Sequence, residues 1–157
     1  MASPSEIVPI TVDNPEAAVR EWFARFGRYC ASVDYASARR IFAPYVVSFG
    51  TKAKIVAGLD ALQKNQWEGI WPNIRDFEFD LGHIRSFGDG RYAWGVTTWT
   101  STGFDHAGKP FFRPGRATVV LERRKGAWLA VHTHISLFPG TPQRTFRPPG
   151  SAKQPQG

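Results

Sequence analysis

From residue 15 onward, apolar positions recur at three- and four-residue steps. Val19, Trp22, Phe23, Phe26, Tyr29, Cys30 and Val33 form one wide stripe, with Arg20, Arg25 and Arg28 largely outside it. Asn14-Pro15-Glu16 supplies a helix start: an N-cap, a proline at the first helical position and an acid in the first turn. Asp34 then caps a shorter helix carrying Tyr35, Ala38, Ile41 and Phe42, which Pro44 limits. Between Tyr45 and Ala57, β-branched and aromatic residues broken at Gly50 predict two short strands, or one strand and an extended loop. Leu59, Leu62, Gln66, Trp67, Ile70 and Trp71 predict a third helix, opened after Gly58 and closed by Pro72.

The remainder reads as a meander of four long strands, at about 77–87, 92–104, 111–124 and 128–138. Asp89-Gly90 and Lys125-Gly126 are the hairpin turns, and residues 105–108 make a longer connection. Gly82, Gly95 and the Pro114-Gly115 pair inside these strands suit a sheet bent around a helix. In the last strand, alternation places Trp128, His132, His134 and Ser136 on one face and Leu129, Val131, Thr133 and Ile135 on the other. A two-residue turn at Lys125-Gly126 sets His134 opposite Ala117. A three-residue turn sets His134 opposite Thr118 and Ser136 opposite Arg116. The two-residue turn is favoured, and it puts Val119 and Ile135 on opposite faces unless a bulge intervenes.

The 157 residues suffice for one domain, and no internal repeat is present. The net charge of +7 comes from scattered basic residues without interleaved exposed aromatics, so nucleic acid is not an expected partner. No stretch approaches the ~20 apolar residues of a membrane span, and residues 1–14 lack a leader pattern. A single cysteine, Cys30, inside an apolar stripe fits a reduced compartment, and the expectation is cytoplasmic. Residues 1–14 are expected to be disordered, residues 15–138 to form the domain, and residues 139–157 to be a flexible, basic Pro/Gly-rich tail.

Helical hairpin, short strands, third helix and curved meander is the order of the nuclear transport factor 2 like superfamily. The run 115–136 resembles the last hairpin of its SnoaL-like branch and of the calcium/calmodulin-dependent kinase association domain. Val56-Ala-Gly58-Leu-Asp60, Trp67-Glu-Gly-Ile-Trp71 and Asp105-His-Ala-Gly108-Lys-Pro110 are similar to segments of the same proteins. The resemblance implies an α+β fold in which N-terminal helices pack into a strongly curved antiparallel sheet around a conical cavity. It also implies a homodimer through the sheet. In the kinase association domain the cavity is lined by arginines, a histidine and a tryptophan, and it binds small acids. Here Trp71 matches the tryptophan, whereas the histidine position reads Gln63 and the arginine positions read Trp99, Val119 and Ile135. A cavity so rebuilt is expected to take a small apolar or aromatic molecule.

Candidate chemistry is sparse. His134 is the candidate general acid/base, with Ser136 two residues on. Gln63, Trp67, Trp71, Trp99, Arg116, Val119, His132 and Ile135 are the candidate ligand-binding residues. An H-x-H pair on a strand could ligate a metal with His83, Asp105, His106 or Glu122 as third ligand, but two histidines satisfied within a core or interface are the favoured reading. Neither metal nor cofactor is expected. The function classes open at this level are a small-molecule-binding protein, a cofactor-free isomerase, cyclase or hydratase using His134, and a non-catalytic oligomerisation module.

Overall fold

A computed structural model describes residues 8–151. Helix α1 (Pro15–Ser32) starts where Asn14 accepts a hydrogen bond from the Ala17 amide at 2.8 Å, and it ends on Val33 in the left-handed region. Its stripe is buried as the spacing requires. Trp22 also spends its indole N–H on the Ile41 carbonyl at 2.9 Å. Gly95 lets α1 lie this close to the sheet, since a methyl group there would stand 2.2 Å from Val19 Cγ1.

Helix α2 (Tyr35–Arg39) follows its Asp34 cap but stops before Phe42, which opens strand β1 (Phe42–Phe49). Pro44 thus lies inside a strand rather than ending a helix. It is tolerated because the pairing of β1 with its neighbour shifts register between Phe42 and Val47. After β2 (Val56–Ala57), α3 (Leu59–Leu62) continues through a π-helical turn (Gln63–Trp67), α4 (Glu68–Ile70) and a 3₁₀ turn (Trp71–Asn73).

Among the described residues the sheet holds seven strands in the order β2-β1-β7-β6-β5-β3, with β4 also paired to β5. Its pairs are antiparallel except that β1 runs parallel to β7. The expected strand 77–87 divides into β3 (Arg75–Phe79) and β4 (Arg85–Gly88), which pair with opposite ends of β5 (Tyr92–Phe104). The break occurs where Asp80 accepts from the Gly82 amide and pairs with the His83 ring. Strands β6 (Pro110–Arg124) and β7 (Ala127–Leu137) complete the meander.

The hairpin at Lys125-Gly126 is a two-residue turn with both φ angles positive, joining Arg124 directly to Ala127. The register is nevertheless that of the longer turn, with Thr118 opposite His134 and Arg116 opposite Ser136. A bulge reconciles the two: Leu121 pairs with Ala130 and Val120 with His132, so Val131 is an extra residue in β7. Trp128 and Ala130 face the core before the bulge, and Thr133 is buried on that face after it. Trp128 therefore does not share a face with His132 and His134. Val119 and Ile135 share the inner face after all.

The expected disordered ends need correction where they are described. Residues 8–13 run beside β7, whose Trp128 donates from its amide to Ile10 and from its indole to Val12. Beyond β7, the Phe146 amide bonds the Phe104 carbonyl, and Thr145 bridges the Phe104 amide and the Asn73 carbonyl. Free backbone groups at the sheet edges give these segments partners. Residues 1–7 and 152–157, the remainder of those two expectations, lie outside the described residues.

Candidate functional site

Between the helical segment 59–73 and the inner face of the sheet lies a hollow of about 40 Å³. That is room for a few waters, each needing ~10–15 Å³. Its apolar end is aromatic. Trp67 and Trp71, one helical turn apart, stack at 4.8 Å, and Tyr35 stacks on the far face of Trp71 at 5.3 Å. Trp99 comes from β5 and packs beside Phe77 at 5.2 Å. Gly115 lies opposite it on β6, where a methyl group would stand 2.1 Å from Trp99 Cζ2. This space lets the indole cross β6 and donate to the Arg116 carbonyl at 3.1 Å.

The other end is polar. The π-helical turn carries buried Gln66, whose Oε1 accepts from the Lys52 and Ala53 amides at 3.0 and 2.7 Å. Its Nε2 donates to Thr51 Oγ1 at 3.0 Å, fixing the loop after β1 as the rim. Arg113, on the inner face of β6, reaches the same hydroxyl through Nη2 at 3.2 Å. Its guanidinium stands 5.3 Å from the Trp99 ring centroid, and Nη1 is 3.5 Å from Ser101 Oγ. Arg113 is only 1 % exposed, and its Nε is buried with no hydrogen-bond partner among the described residues.

No carboxylate pairs with Arg113 among the described residues. Burial pushes its pKa down to about 10, so the side chain still carries its charge at neutral pH. Cys30 also lines the hollow, but burial raises its thiol far above the ordinary range, with Arg113 opposing only in part. The thiol stays neutral and cannot act as counter-ion. A lone cation in such surroundings costs several kcal/mol unless something compensates it.

Of the candidate ligand residues, Trp67, Trp71, Trp99 and Ile135 line this hollow. Val119 is buried on the inner face away from it. Gln63 is held instead between Arg39 and Glu68, with Gln66 taking the inward position three residues later. Arg116 projects outward, its guanidinium near the Phe138 ring. The bulge turns both histidines outward: His132 Nδ1 donates to the Val47 carbonyl at 2.7 Å, and His134 is exposed with its ring 5.2 Å from that of Phe49. His134 has no access to the hollow, contrary to its expected place as acid/base. No three His, Cys, Asp or Glu side chains gather as a metal site among the described residues.

Sequence reasoning missed Arg113, Thr51 and Gln66. A signal existed for the first. Stepping by two from Val119 through Ala117 and Gly115 leads along the inner face to Arg113.

A family model described as SnoaL-like domain matches residues 19–140. Among solved structures, a Xanthomonas campestris protein described as a candidate calcium/calmodulin-dependent protein kinase II association domain aligns with TM-score 0.68 and 21% identity, over 90% of this chain and 95% of its own. An NTF2-like superfamily protein from Salmonella enterica aligns with TM-score 0.67 and 16% identity, over 78% and 89%. A candidate dehydratase of the NTF2-like family from Streptomyces avermitilis gives 0.66 and 15%, over 81% and 100%. At these identities the likeness shows the fold alone. No curated protein matched the sequence.

Proposed function

The chain belongs to the SnoaL-like domain family, and on that premise we propose that it binds a small, largely apolar organic molecule in the hollow between the helical segment 59–73 and the sheet. The observation that carries this reading is the hollow itself, walled by Trp67, Trp71 and Trp99 and bordered by the loop after β1. Its size restricts the ligand to a short body or requires the rim to move. Tryptophan fluorescence during titration with short alcohols, amides and acids tests it, because a ligand there touches three indoles. Ile135→Phe, which fills the hollow, should abolish the response. Absence of any response from the wild-type protein would end the reading.

A second copy of the chain is the proposed macromolecular partner. Phe87, Trp94, Val120, His132 and Val47 are consecutive cross-strand neighbours on the outer face, forming one row across five strands. Trp94 is 44% and Phe87 64% exposed in the single chain, a combination that suits burial in an isologous interface. The Xanthomonas structure carries the name of an association domain, in keeping with self-association. Light scattering should give twice the chain mass, and a monomer at micromolar concentration would overturn the dimer. No helix among the described residues is long and apolar enough to cross a membrane, and buried, free Cys30 supports assignment to the cytoplasm.

A further inference from the structure

Among the described residues Arg113, at the polar end of the hollow, has no counter-ion and an unused Nε–H, a costly arrangement whose cost an arriving anion would remove. The same edge of the guanidinium carries Nη2, which bonds Thr51. Thr51 Oγ1 already accepts from both Gln66 Nε2 and Arg113 Nη2, so its own hydrogen remains for a third partner. Arg113 and Thr51 both line the hollow, so the uncompensated cation and the free hydroxyl hydrogen lie on one small space. Trp99 supports the guanidinium from beneath, and the loop 51–53 is pinned by Gln66, so the donors are held in place before any ligand arrives.

We propose that the hollow is a monocarboxylate site, in which the Arg113 guanidinium and the Thr51 hydroxyl take the carboxylate while the tryptophan-walled end takes a short apolar tail. This deepens the small-molecule reading above and rests on it. The charge sits on β6 at residue 113, away from the positions where the family resemblance places arginines, which here read Trp99, Val119 and Ile135. A carboxylate accepts from the guanidinium and from the Thr51 hydroxyl, and it brings the negative charge that the site lacks. The free volume of about 40 Å³ selects a tail of few carbons. Neutral isosteres meet the apolar wall but leave the cation uncompensated.

The test compares propionate with propionamide, which share shape and differ in charge, by tryptophan fluorescence and thermal shift in a buffer free of other carboxylates. Propionate is expected to bind at least tenfold more tightly than propionamide and to raise Tm, with Arg113→Gln removing the preference. The wild-type comparison stands without the variant should Arg113→Gln fail to fold. Equal binding of acid and amide, or undiminished propionate binding by Arg113→Gln, would overturn the carboxylate site and leave the small-molecule reading intact. A response to chloride equal to that to propionate would overturn it too, by marking a site for inorganic anions. Failure of every acid, amide and alcohol would sink both proposals together.

Discussion

Replacing Arg113 by methionine should stabilise the unliganded protein. The folded pKa of about 10 lies well below the ordinary arginine range, and at about 1.4 kcal/mol per pH unit the buried charge costs on the order of 3 kcal/mol. Losing the contact with the Trp99 ring returns about 1 kcal/mol of that, leaving a net gain on the order of 2 kcal/mol. Methionine fills a similar space, and no partner is orphaned: Thr51 keeps its bond from Gln66 and Ser101 keeps its bond to the residue 113 carbonyl. At ~2–4 °C per kcal/mol for a chain of this size, Tm should rise by roughly 4–8 °C. Calorimetry at one fixed protein concentration, in buffer without carboxylates, measures it. Folding lowers this pKa, so the penalty is complete below about pH 10 and fades as pH rises through that value. The gap between variant and wild type should therefore be flat near neutrality and narrow above pH 10. A variant several degrees less stable than wild type would refute the account of Arg113 as an uncompensated charge.

Gly115→Ala should cost about 3 kcal/mol, because the added methyl meets Trp99 and also the Ser136 carbonyl at 2.2 Å, which cannot turn aside; an unchanged urea midpoint would contradict this. The pair Val47→Glu and Trp94→Glu places charges in the outer row and should convert the proposed dimer to folded monomer by light scattering with retained circular dichroism. Cys30 should resist aqueous thiol reagents at pH 8 until the protein unfolds, since burial keeps it both protonated and covered; labelling within minutes under native conditions would show that the hollow opens widely.

The elements that were legible in the sequence are those with one dominant signal: the apolar stripe of α1 after Asn14-Pro15, the positive-φ turn at Lys125-Gly126 and the long β5–β6 ladder. Val131 shows what was not. A bulge is a difference between two strands, and nothing local marks Val131 as the unpaired member of an apolar run. One such residue moved two histidines from the cavity side to the outer side. Gln63 and Gln66 fail for a related reason, because a π-helical turn changes which of two nearby amides points inward. Arg113 was legible by parity alone, but a charged side chain flanked by Phe112 and Pro114 reads as surface until the far end of the strand fixes the face.

These departures are connected. The position that the resemblance would fill with an arginine holds Trp99 instead, and the bare Cα of Gly115 opposite gives its indole room to lie across β6. In that place the ring closes the apolar end of the hollow and faces the guanidinium of Arg113, two residues from Gly115 on β6. Arg113 can be so buried because Trp99, Thr51 and Ser101 partly replace its water, yet none of them is an acid. An acid in the wall would have settled the charge permanently and left nothing for a ligand to do. The missing counter-ion makes the empty protein less stable, and the same energy becomes available to whatever anion enters.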